Sequence, residues 1–204
     1  FRSIPIGINS AEFTLEEVEN IVKKTQTGRV ETRVGVISVE SPVRRQKDQM
    51  FAFENLKKIV DYAKSKDIKM HLDGARLFVQ PIHNQVSIKD YAAHFDTVYT
   101  SLWKCFNAAS GAVLAGSKSF TTHLFHERRM FGGGLPTAWA FAAVALHFAD
   151  GFAEEYKKAW QNAETLFSLL QKDEKCKVTK FENGSHIVGL EVKNVNANRF
   201  KEAL

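Results

Sequence analysis

Three short, β-branched or apolar runs, VGVISVE (34–40), IKMHLD (68–73) and DTVYTSL (96–102), follow one another with helical stretches between them. The stretch FENLKKIVDYAKSKD places Phe53, Leu56, Ile59, Val60 and Ala63 on one helical face, and IKDYAAHF is a shorter helical segment. A strand joined to the next through a helix of this length closes as a crossover, and a crossover makes the paired strands parallel. Upstream, TLEEVENIVKK opens with Thr14 and carries Glu17 three residues on, the signature of a capping box, with Leu15, Val18, Ile21 and Val22 on one face. The alternation predicts an α/β fold with a mostly parallel sheet.

Beyond the third run the pattern changes. GAVLAG (111–116) is a further strand, and SFTTHLFHERRMF reads as a helix in which Phe125 and Phe131 fall at core spacing. Gly132, Gly133 and Gly134 then interrupt, and Pro136 opens a helical stretch expected to run past Trp160 to about Leu170. CKVTKF and HIVGLEV flank the turn residues ENGS, a hairpin pattern. Residues 1–150 are therefore expected to form a major domain, and 151–204 a linking helix and the start of a smaller α+β domain. The chain opens on Phe1, and the terminal helical pattern ANRFKEAL closes at Leu204 without a stop signal, so both ends are expected to be cut.

Composition narrows the function class. A chain of 204 residues, 44% hydrophobic and 25% charged, has the make-up of a globular protein with one substantial core. Its formal charge of +5 comes from basic residues scattered through periodic segments, which argues against a nucleic-acid partner. No apolar run is long enough for a membrane span, and the opening residues lack the pattern of a signal peptide. Cys105 and Cys176 offer neither a disulfide framework nor a zinc spacing, which fits a reducing compartment and a cytoplasmic location.

In an open α/β sheet, ligands collect where strands end. Asp73 and Arg76 in HLDGARL (71–77) lie at one such end, and Lys104 in SLWKCFNAASGAVLAG (101–116) at the next. Each has an ordinary reading. The Asp and Arg satisfy one another across the turn, and the Lys either snorkels outward or sits in an apolar pocket where it becomes nucleophilic towards carbonyls. His71 shares the strand face of Asp73 and receives no role. His123 and His126 in HLFHE have a spacing zinc can use, but no third ligand stands nearby, so they read as surface residues.

HLDGARL, SLWKCFNAASGAVLAGS and RRMFGGGLPTAW, in that order, resemble the threonine aldolase and β-eliminating lyase group of fold-type-I pyridoxal phosphate enzymes, and ESPVRRQKDQMFAFENLKKI is similar to one branch of it. The resemblance implies a fold-type-I large domain, a mostly parallel sheet with helices on both faces. It implies pyridoxal 5'-phosphate as cofactor, with Lys104 as the Schiff-base lysine, Asp73 as the partner of the pyridinium nitrogen, and Arg76 at the substrate carboxylate. It further implies a small-molecule substrate, a β-hydroxy amino acid, cleaved between Cα and Cβ as threonine is to glycine and acetaldehyde, and a homodimer or homotetramer with active sites near the subunit interface. β-Elimination from an aromatic or thiol amino acid is the alternative within that chemistry, and a non-catalytic α/β binding module is the rival outside it.

The sequence also departs from the group. Cys105 follows the lysine where many members have Gly, and Pro136 stands where many have an Arg that contacts the cofactor phosphate. Arg128, Arg129, Arg44 and Arg45 are the basic residues available instead, each read more simply as a solvated face. The glycine-rich phosphate loop of such enzymes is expected ahead of Phe1, which makes the chain the middle of an enzyme.

Overall fold

The computed structural model describes residues 2–27, 29–196 and 199. Helix α1 (Leu15–Gln26) begins at the cap the sequence marks: Glu17 N donates to Thr14 Oγ1 at 3.2 Å, and Thr14 N donates to the Glu17 carboxylate at 2.7 Å. Strand β1 (Val36–Glu40), helix α2 (Phe53–Ser65) and strand β2 (Lys69–Asp73) follow. The short helices α3 (Gln80–Asn84) and α4 (Ile88–Ala92) lead into β3 (Thr97–Ser101), the single-turn α5 (Leu102–Cys105) and β4 (Ala112–Gly116). Then come α6 (Lys118–Thr121), α7 (Leu124–Met130), α8 (Ala138–Ala149), α9 (Phe152–Leu170), β5 (Cys176–Lys180) and β6 (Val188–Val192).

The main sheet has the order β1-β2-β3-β4. β1 and β2 pair in parallel, as do β2 and β3, each through a helical crossover; Leu72 stands between Val39 and Val98 in register. β4 instead runs antiparallel to β3, with Ser101 opposite Ala112. The connection between them holds only α5 and a short loop, too little chain to return to the starting end of the sheet.

Alternation along the strands sorts their faces. Ile37, Val39, Met70 and Leu72 point into one core, where they meet Val18 and Val22 of α1 and Leu56, Ile59, Val60 and Ala63 of α2. Tyr91 of α4 closes this core; its hydroxyl donates to Phe51 O at 3.2 Å, and burial pushes the phenol up to about 12. The opposite face of β1 and β2 carries Ser38, His71 and Asp73. A second, smaller cluster forms around Phe106, Ala108 and Ala145, with Phe78, Phe141 and Phe152 packed on it.

Three sequence expectations are corrected. The stretch opened by Pro136 is two helices, α8 and α9, because Gly151 takes a left-handed conformation (φ 74°) that breaks the helix. The segment SFTTHLFHERRMF is likewise split into α6 and α7. Phe125 and Phe131 are not core: they are 53% and 83% exposed, Phe125 on α7 and Phe131 just past its end. Met130 of α7, Trp139 and Leu146 of α8, and Val113 and Leu114 of β4 are also exposed large apolar side chains.

The predicted hairpin forms, with β5 and β6 antiparallel and Val178 opposite Leu190. The helical pattern at 197–204 lies outside the described residues apart from Arg199.

Candidate active site

β2 and β3 run parallel and end side by side, so the residues that follow them share one edge of the sheet. At that edge lies a cleft of about 460 Å³ lined by His71, Asp73, Ala75, Tyr99, Lys104 and Leu114. Asp73 and Lys104, chosen from the sequence, therefore meet at a single site. Each is half-buried, and among the described residues neither belongs to an ion pair.

The turn after β2 is held tightly. Gly74 N donates to Tyr99 O at 2.9 Å, Ala75 N to Asp73 Oδ1 at 3.2 Å, and Leu77 N to Gly74 O at 2.8 Å. The Asp73 carboxylate thus braces its own turn through one oxygen and keeps acceptor capacity for a ligand. Ser41 N donates to the Asp73 carbonyl at 3.1 Å, fixing the strand end from the other side.

Lys104 is the third residue of α5. Its Nζ stands 5.5 Å from the centroid of the exposed Trp103 ring. Thr100 and Ser101, which lead into α5, carry buried hydroxyls that have no hydrogen-bond partner among the described residues. The neighbouring Cys105 thiol is pushed up to about 11, because its burial outweighs the pull of Arg76 and Lys104. It remains a neutral thiol at physiological pH and is no nucleophile.

Arg76 does not pair with Asp73 across the turn. Its Nε lies 3.6 Å from Oδ2 of Asp48, and it stands beside the cleft without being among the lining residues. Asp48 was not singled out from the sequence. It sits in the polar stretch SPVRRQKDQ, where nothing local distinguishes a fully buried carboxylate from a solvated one. His71 and Tyr99 were also missed as lining residues. His71 Nδ1 is 2.8 Å from Thr97 Oγ1, which fixes its ring on the cleft face of β2. The signal was available in the case of His71, two residues before Asp73 on the same strand face. For Tyr99 it required the register, in which Asp73 stands opposite Tyr99.

The basic residues considered for phosphate binding lie elsewhere. Arg128 and Arg129 are exposed on α7, about the Phe125 ring, and Arg44 and Arg45 are exposed in the loop after β1. Among the described residues no group of histidines, cysteines and carboxylates could hold a metal ion, and His123 and His126 are exposed.

A half-buried amine and carboxylate in one cleft, with no ion pair between them, can hold a carbonyl compound that also bears a basic ring nitrogen. The chain is 32% identical over 143 residues to the low-specificity L-threonine aldolase of Candida albicans, covering 70% of this chain and 37% of that one. It is 31% identical over 97 residues to the enzyme of the same name from Saccharomyces cerevisiae, covering 48% and 25%. The chain thus spans a little over a third, or less, of these curated relatives.

Among solved structures, a provisionally assigned L-allo-threonine aldolase from Listeria monocytogenes superposes with a TM-score of 0.66 at 27% identity, covering 82% of this chain and 44% of that one. The threonine aldolase of Leishmania major shares the fold, with a TM-score of 0.60 at 15% identity over 94% of this chain and 66% of that one. The family model of the β-eliminating lyases matches residues 2–193, nearly the whole chain. The α/β architecture is accordingly that of the fold-type-I enzymes, and the chain belongs to the β-eliminating lyase family.

Proposed function

We propose that the protein is a pyridoxal phosphate-dependent lyase that cleaves the Cα–Cβ bond of a β-hydroxy amino acid, most simply threonine to glycine and acetaldehyde, in line with relatives named low-specificity L-threonine aldolase. The observation that carries this reading is the meeting of Asp73 and Lys104 in one cleft at adjacent strand ends. In it, residues 1–150 are the cofactor-binding unit, and 151–204 the linking helix and the start of a smaller domain. The protein acts in the cytoplasm as a homodimer or homotetramer with active sites near the subunit interface. Two free cysteines and the large apolar side chains left exposed on α7 and α8, Phe125, Met130, Trp139 and Leu146 among them, support that setting.

The residues present fit the cofactor. Lys104 would hold it through its amine, Asp73 would face its ring nitrogen, and Arg76 would take the substrate carboxylate with its planar fork. Pyridoxal phosphate, when bound, supplies an electron sink for the charge left on Cα as the Cα–Cβ bond breaks. The chain's contribution is to hold the groups around it. The Asp73 carboxylate, braced by Ala75 N, favours a proton on the nitrogen it faces. Arg76 orients the amino acid, which selects the bond that is broken.

The family's own description favours a second reading, β-elimination from an aromatic or thiol amino acid. One experiment separates these readings from each other and from a non-catalytic module. The purified protein is titrated with pyridoxal phosphate while its visible absorbance is followed, then assayed for glycine from threonine and for pyruvate from tyrosine or cysteine. The proposal expects a saturable visible band and glycine release. Pyruvate without glycine selects β-elimination, and the absence of band and products overturns the enzymatic reading.

A further inference from the structure

Asp48 is the most unusual charged residue in the molecule. Its side chain is 0% exposed, its backbone takes φ 52°, and neither carboxylate oxygen has a hydrogen-bond partner among the described residues. Two basic groups nevertheless flank Oδ2, Arg76 Nε at 3.6 Å and His186 Nε2 at 3.2 Å. A buried carboxylate with no aligned donor is costly, and an apolar residue of similar size would serve stability at least as well. What the charge supplies is therefore sought in its neighbours.

The loop that carries Asp48 has little freedom to move. Val43 N donates to Gln49 O at 2.8 Å and closes the loop on itself. The turn between β5 and β6 then clasps it: Met50 N donates to Asn183 O at 2.7 Å, Ser185 Oγ to Asp48 O at 2.8 Å, and Gln49 Nε2 to Glu182 O at 2.9 Å. Lys47 Nζ sits 4.2 Å from the Phe181 ring centroid. The carboxylate is thus fixed by two segments far apart in sequence, and Arg76, with 19% of its side chain exposed, lies against it. His186 keeps 38% of its side chain exposed, and its pKa is lowered, because burial, aided by Arg76 and Arg44, outweighs the attraction of Asp48. Arg76 is the permanently charged cation of the cluster.

We propose that Asp48 is a positioning residue for Arg76: it holds the guanidinium at Nε, so that the two terminal nitrogens are presented as a fork to the substrate carboxylate, and it ties that fork to the β5–β6 turn through Ser185 and His186. The proposal rests on the role given to Arg76 above. A guanidinium restrained at Nε loses less freedom on capturing a carboxylate than one on a free side chain, so the restraint appears in substrate affinity and leaves cofactor affinity alone.

The test compares wild type, Asp48→Asn, Arg76→Lys and the double variant, each loaded with pyridoxal phosphate. Binding of glycine, which carries the carboxylate, and of methylamine, which lacks it, is measured by absorbance, together with Tm and cofactor affinity. Asp48→Asn keeps the shape but removes the charge. It is expected to weaken glycine about tenfold, leave methylamine and the cofactor unchanged, and add little in the Arg76→Lys background. Full multiplication of the two effects overturns the coupling alone, as does an equal loss for glycine and methylamine. Arg76→Lys without effect on glycine overturns the carboxylate role of Arg76 and this proposal with it. If Asp48→Asn does not fold, His186→Gln carries the test: weaker glycine with methylamine unchanged supports the tie to the turn, and unchanged glycine overturns it.

Discussion

Replacing Gly74 by Ala tests whether the turn between Asp73 and Arg76 is as closely packed as the structure has it. A Cβ at this position would lie 3.1 Å from Tyr99 O, 3.1 Å from Leu77 Cβ and 3.4 Å from Leu72 Cδ2. The first is backbone of the neighbouring strand, and the second belongs to a residue whose N–H is bonded to Gly74 itself, so neither gives way cheaply. Crowding of this size costs about 1–3 kcal/mol. The loss of glycine's freedom in the unfolded chain returns about 0.4–1 kcal/mol. The central values leave a net destabilisation of about 1.3 kcal/mol, or a fall in Tm of about 3–5 °C for a chain of this size. Gly35→Ala is the control, because its Cβ would meet nothing within 4 Å. Thermal unfolding of the two variants beside wild type gives the answer. The reasoning expects Gly74→Ala to melt lower and Gly35→Ala at or slightly above wild type. A Gly74→Ala variant that melts at or above wild type would refute the tight-turn account.

Three further outcomes are expected. Ile59→Ala, at a fully buried position of α2, should lower stability by about 2–5 kcal/mol in urea unfolding, because it leaves a cavity in the first core. Asp73→Asn should leave Tm near wild type and cut turnover at least tenfold, about 1.4 kcal/mol or more of barrier, since an amide cannot favour a proton on a facing ring nitrogen; the check is steady-state kinetics beside a melting curve. His83, half-buried against Tyr156 OH at 2.7 Å, is lowered to about 4 by burial first and then by His186, with Lys180 adding and Glu164 opposing. Because its folded pKa lies below the unfolded 6.5, its contribution to stability is whole above that value and lost as pH falls towards 4. Discounted for partial exposure, the loss is about 1–2 kcal/mol. Urea midpoints at pH 7 and pH 4.5 should differ less in His83→Gln than in wild type.

The parallel core of the sheet was legible because two independent signals agreed. The β-branched and apolar runs VGVISVE and IKMHLD marked two strands, and the helical spacing of Leu56, Ile59, Val60 and Ala63 marked the crossover helix between them. The same logic brought Asp73 and Lys104 together, since parallel neighbours end at one edge. It failed for Phe125 and Phe131 because periodicity reports which residues share a helix face, not whether another element packs there. It failed for the long helix because Gly151 was one weak breaker in an otherwise favourable run, and only its backbone conformation shows the break. Arg76 was expected to face either Asp73 or a ligand, and its pairing with Asp48 was not foreseen. Its partner, Asp48, lies on a different loop, and a charge pair closed by tertiary packing leaves no local spacing to read. The clasp between that loop and residues 182–185 was invisible for the same reason.

The most direct test of the central claim is covalent. The purified protein is incubated with pyridoxal phosphate, reduced with borohydride, digested and mapped by mass spectrometry. The account predicts one pyridoxyl-modified peptide carrying the adduct on Lys104, with the adduct absent from a Lys104→Ala variant that still folds. An adduct on another lysine, or equal labelling of wild type and Lys104→Ala, would contradict it.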